Sequence, residues 1–245
     1  MRRFLLIFFS IMLTSCIIED PISDNSPRFY LQDGLKMEWE ETAQVYENEN
    51  LISESHALVT MEHVGYEDIK GYHCFVFRIT EKSQDGIHTG YQYLADTDTG
   101  LVLVNVTGEA PPVIWGLSPR IPGNLRNKDG KSYLPIFGAK DSLEQPQLTL
   151  SYPLYVGKDW TVFTEPWVRQ RKVIGQEEIS TPAGDFYTWV IKAWDPMYVW
   201  TDSLYDYITG EAWVKKIIVF FFYDPPTIYK FREIYELKNI DWGRK

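Results

Sequence analysis

The chain of 245 residues is poor in the side chains on which most enzyme chemistry depends, with two cysteines and four histidines. It has no G-x-S-x-G nucleophile turn, no H-E-x-x-H, no glycine-rich phosphate loop and no C-x-x-C. The histidines, at positions 56, 63, 73 and 88, lack the close spacing of a metal site, and no cofactor is expected. Positive charge is also short: 24 basic against 34 acidic residues leave a net charge of −10. Such a chain is repelled by nucleic acid and by anionic lipid, so neither is an expected partner through bulk charge. Long apolar runs are missing except for "FLLIFFSIML" at residues 4–13, and a spanning helix needs about 20 apolar residues.

That short run is informative. Arg2 and Arg3 precede it and the small residues Thr14 and Ser15 follow, the order of a secretory leader. The tetrapeptide "LTSC", ending at Cys16, resembles the bacterial lipobox. The resemblance implies cleavage before Cys16, a diacylglycerol thioether on its sulfur and an acylated amine. Acyl chains such as palmitate, at ~0.8 kcal/mol per buried methylene, hold a protein on a bilayer when two or more are present. The expected partner is therefore a membrane, reached through the anchor on Cys16. Ile17 favours the outer membrane, and Glu19–Asp20 is similar to an acidic surface-export pair without its usual lysine. The periplasmic face and the cell surface both stay open.

Loss of the leader leaves 22 basic and 34 acidic residues, a net charge of −12. With Cys16 lipidated, Cys74 has no intramolecular partner, and an unpaired thiol in an oxidising compartment is best kept buried. Its place in the apolar stretch "YHCFVFRI" predicts a core residue.

The spacing predicts a leader at 1–15, a lipidated tether at 16–33, a first β unit at 34–112, a connection at 113–152 and a second β unit at 153–245. The units are similar to each other. "VGYEDIKGYHCFVF" at 64–77 aligns with "IGQEEISTPAGDFYTWVI" at 174–191, pairing Gly65 with Gly175, Glu67 with Glu177 and Ile69 with Ile179. Runs rich in Tyr, Phe, Val, Ile and Thr, punctuated by Gly, Pro, Asp and Asn, predict strands. The expected fold is mainly β, a curved antiparallel sheet shaped as a half-barrel or sandwich, built from two degenerate repeats. Leu31 to Tyr46 is the one stretch of the body expected to hold a short helix. "YDPPTIY" reads as a hairpin turn, and "DTDTG" at 96–100 reads as another rather than as a calcium loop.

"YPLYVGKDW", "IGQEEISTPAGDFYTWVIK", "WVKK" and the closing "YEL" resemble a loose group of secreted bacterial lipoproteins, chiefly over residues 152–237. The group is similar to the LolA/LolB fold, which implies a curved sheet around an apolar cavity.

Aromatic residues are in excess, with 9 Trp, 16 Tyr and 13 Phe. Trp115, Trp194, Tyr198, Trp200, Tyr205 and Tyr207 fall in segments that look partly looped, and are the candidate ligand-binding residues. No catalytic residue is assigned. The expected function is a non-catalytic, lipid-anchored envelope protein that binds a lipid, another apolar ligand or an envelope partner. The alternative is a glycan-binding surface lipoprotein with an aromatic platform. A hydrolase using the acidic pairs Glu67–Asp68 and Glu177–Glu178 ranks last.

Overall fold

The structure is a computed structural model and describes residues 28–108, 143, 145–163, 168–194, 203–224 and 226–243. Cys16, Trp115, Tyr198 and Trp200 lie outside the described residues. Among the described residues the regular structure is all β. The first strands are β1 (Lys36–Glu47), β2 (Asn50–Ile69), β3 (Tyr72–Ser83), β4 (Gly86–Thr97), β5 (Gly100–Gly108) and β6 (Gln147–Ser151). They are followed by β7 (Asp159–Phe163), β8 (Arg169–Thr181), β9 (Gly184–Trp194), β10 (Ser203–Ile208), β11 (Trp213–Asp224) and β12 (Thr227–Asp241).

These strands form one antiparallel sheet in the order β6-β5-β4-β3-β2-β1-β12-β11-β10-β9-β8-β7. The first and last strands lie side by side in its middle, and two five-residue strands, β6 and β7, form its edges. The edges approach without a ladder. Trp160 Nε1 on β7 donates to the Leu148 carbonyl on β6 at 3.2 Å, and Arg171 Nη1 on β8 donates to the Thr149 carbonyl at 2.9 Å. The sheet is thus a nearly closed barrel, which limits the open edge that a flat sheet would present.

Strand β1 corrects the expectation of a helix at 31–46. Met37, Trp39, Glu41 and Val45 are buried at odd positions, the period of a strand rather than of a helix. Its Glu, Ala and Gln residues favour helix locally, but paired neighbours on both sides satisfy every rung of its backbone, and tertiary pairing prevails. Two further boundaries shift. Residues 147–151 of the expected connection form β6, and Phe29 of the expected tether is fully buried, its ring edge-on to Trp213 at 4.6 Å.

Both expected hairpins are present, β4–β5 turning at Asp98–Thr99 and β11–β12 closing with Asp224 paired to Thr227. The aligned segments form the hairpins β2–β3 and β8–β9. Each has a β-bulge at its aligned glycine, between His63 and Gly65 in one and between Val173 and Gly175 in the other. The extra residues, Val64 and Ile174, are exposed.

The end of the barrel where the chain enters is plugged. Tyr30 N–H donates to the Gly210 carbonyl, Tyr152 Oη to the Phe29 carbonyl, and Ala183 N–H at the β8–β9 turn reaches across to the Leu237 carbonyl on β12. A close approach at this end requires a glycine: a Cβ on Gly100 would collide with the Leu150 carbonyl oxygen.

Candidate functional site

Alternation along each strand places one set of side chains inside the barrel. The floor is apolar, with Met37, Trp39, Met61, Phe77, Trp213 and Leu237 buried in one cluster. Above it runs a belt of charge. Glu41 on β1, Tyr235 on β12, Lys216 on β11 and Asp206 on β10 are successive cross-strand partners, each at most 5% exposed. Arg171 on β8, Glu81 on β3 and Glu233 on β12 are equally buried.

The belt is held by ion pairs. Asp206 Oδ2 lies 3.1 Å from Arg171 Nη2, and its Oδ1 lies 3.6 Å from Lys216 Nζ. Burial pushes the Lys216 ammonium down to about 8, although Asp206 pulls in the other direction. Burial likewise lowers Arg171. Tyr235 is raised well above its usual range, by burial first and then by the charges of Glu41, Glu233 and Glu81. Glu41 and Tyr235 are also hydrogen-bonded. One carboxylate thus bridges two cations and three strands, on the side of the barrel where its edges meet.

The belt went unread in the sequence, yet a signal was there. Each member sits in the apolar phase of its strand: Asp206 between Leu204 and Ile208, Lys216 between Val214 and Ile218, Glu233 between Phe231 and Tyr235.

The three sequence-predicted aromatics that are described lie on the outside. Trp194 ends β9, and Tyr205 and Tyr207 stand on β10 itself, facing away from Asp206. They belong to strands rather than to loops. Tyr205 is directly opposite Lys192 on β9, whose Nζ lies 5.8 Å from the ring centroid. Tyr207 is opposite Lys215, and burial, with the nearby Glu177 charge, raises its hydroxyl.

Other singled-out residues have structural partners. Cys74 is fully buried with Ala95, Val102 and Val104, as the sequence predicts, and burial pushes its thiol up. His63 Nδ1 accepts from Gly34 N–H at 3.1 Å and its Nε2 bonds the Gly65 carbonyl at 2.8 Å, which stitches the bulge to the start of β1. His73 is exposed and bonded to Asp68 at 2.7 Å. Among the described residues no three His, Cys, Asp or Glu side chains converge as a metal site would require. The acidic pairs lie in separate hairpins, Glu67–Asp68 opposite Cys74 and His73, Glu177–Glu178 opposite Thr188 and Tyr187.

No family model and no curated protein matches the chain. Two solved structures are similar to it. A candidate lipoprotein from Parabacteroides distasonis is 11% identical over 87% of this chain and 97% of its own, with a TM-score of 0.30. A candidate exported protein with a YmcC-like fold, from Bacteroides fragilis, is 12% identical over 87% of this chain and 98% of its own, with a TM-score of 0.32.

Proposed function

We propose that this is a non-catalytic, lipid-anchored protein of the outer membrane that acts by binding a partner on the outer wall of its barrel. The observation that carries the reading is the "LTSC" sequence after a short leader, followed by a tether that ends on a rigid all-β body. The choice of the wall over the interior rests on packing. Inward side chains from β1 to β12 are buried in one contiguous cluster, and the charged belt crosses it, so an apolar guest would have to displace ionised groups from their partners. The wall, by contrast, presents Trp194, Tyr205 and Tyr207 half-buried and accessible.

Fractionation and native mass spectrometry test the two halves of this reading. The full-length protein is expected to sediment with outer membranes and to stay there through a high-salt wash, and the Cys16→Ser protein to be released. The body freed from its anchor is expected to carry no stoichiometric lipid. A tightly bound lipid in that body would move the binding site into the barrel.

A further inference from the structure

On a body of net charge −10, part of the outer wall formed by β8 to β12 is cationic, bounded by Glu177 near Tyr207 and by Glu236. Lys172 on β8 stands directly opposite Lys192 on β9, and Tyr205 continues the same cross-strand row on β10. Like charges directly opposite one another on adjacent strands are unfavourable. Among the described residues neither lysine has a carboxylate partner: the contact of Lys192 is the Tyr205 ring, and Lys172 projects into solvent. Lys215, Arg232 and Lys230 add three more cations on β11 and β12. Arg232 is bonded to Gln44, and Lys230 lies over the Tyr46 ring. Within these rows of the described residues the one carboxylate is Glu236, which is spent on Lys215 at 2.7 Å.

We infer that this wall binds an extended polyanionic sugar chain, with Lys172 and Lys192 taking its carboxylates and Tyr205 stacking on a sugar ring. The inference deepens the wall-binding reading above and rests on it. Four features favour this occupant. The outside of a barrel is convex, so a compact headgroup would be touched on one side alone, whereas a chain laid across the strands meets one side chain of the row after another. Adjacent strands are about 4.8 Å apart, close to one sugar residue of an extended chain. Of the aliphatic side chains of the wall, Ile217, Val219 and Ile234 are half-buried, and the exposed Ile174 and Ile228 are separated by β9 to β11, so no aliphatic patch gathers to enter a bilayer. A tyrosine ring beside unpaired ammonium groups supplies stacking and charge together, which a peptide or phosphate chain would use in part.

The test uses the full-length protein in detergent and polygalacturonate as the probe, with neutral dextran, inorganic polyphosphate and phosphatidylglycerol vesicles beside it. Binding to polygalacturonate is expected at low ionic strength, weakening as salt rises. Lys172→Gln/Lys192→Gln is expected to lower the affinity at least tenfold, and Lys36→Gln, away from the wall, to leave it unchanged. Tyr205→Leu, which keeps an apolar side chain in place, is expected to weaken polygalacturonate several-fold and polyphosphate not at all. Because the lysine substitutions relieve a repulsion, the double variant is expected to melt no lower than the parent. No binding, binding indifferent to the double variant, polyphosphate bound as tightly as polygalacturonate, or a preference for the vesicles would each overturn the inference. Any of these with Cys16 still lipidated would leave the anchored-protein reading standing, and an unlipidated Cys16 would remove that reading without touching the chemistry of the wall.

Discussion

At the scale of single residues, Asp206 holds the interior together. It is the carboxylate shared by Arg171 and Lys216, and all three side chains are at most 3% exposed. Asp206→Ala would leave two cations in a low-dielectric interior and is expected to cost about 3–5 kcal/mol, read from the urea midpoint. Lys216 also confers a pH dependence. Its folded pKa is lowered to about 8 from an ordinary 10.5, so between these values the unfolded chain holds more protons than the folded one. Stability contributed by this group therefore rises with pH through that window. Tyr235 acts in the opposite sense above pH ~10, because its raised folded pKa keeps it protonated while the unfolded chain ionises. Unfolding free energies of the parent and Lys216→Met, measured from pH 7 to 10, should differ in slope, the parent gaining more as pH rises. Parallel curves would show that the ammonium is not desolvated. These residues were hidden because sequence reading assigns charge to the solvent face by default. Glu233 stands in the same phase as Tyr229, Phe231 and Tyr235 of β12, but a charge there has no meaning until its cross-strand neighbours are known.

At the scale of elements, the barrel depends on a few close approaches. Gly100→Ala would push a methyl group into the Leu150 carbonyl where β5 meets β6, and should destabilise by about 1–3 kcal/mol in calorimetric unfolding. Gly175→Ala has open space around it and should fall within about 0.5 kcal/mol of the parent, although the residue marks the β8 bulge. Equal effects at the two glycines would refute the steric account. Hairpins were the legible elements, since Asp98–Thr99 and Pro225–Pro226 carry their turn chemistry locally. Strand β6 was not, because five residues flanked by polar sequence give no periodicity. Nor was β1, where helix-favouring residues masked the alternation of Met37, Trp39 and Glu41. The glycines at 65 and 175, aligned in the sequence, each sit at a bulge, and nothing in the alignment hinted at that.

At the scale of the molecule, charge is divided by surface. An acidic protein carries Lys172 and Lys192 side by side on one outer wall, and keeps a second group of charges sealed inside. The mainly β antiparallel class was legible from composition and turn spacing. Closure was not, because it depends on β6 and β7 meeting through Trp160, Arg171 and the carbonyls of Leu148 and Thr149, contacts that no local pattern announces. Three candidate binding residues, Trp194, Tyr205 and Tyr207, do share one face of the sheet. What placed them there was the strand period of β9 and β10, not the loop character from which they were first chosen. In the proposed reading the body acts at a membrane through its tether, so the anchor decides whether any surface chemistry is used where the account puts it.

Metabolic labelling with palmitate tests that dependence directly, using the full-length protein and its Cys16→Ser variant expressed in a bacterial host. Label in the parent and none in the variant is the predicted result. An unlabelled parent, or label that persists in Cys16→Ser, would contradict the account.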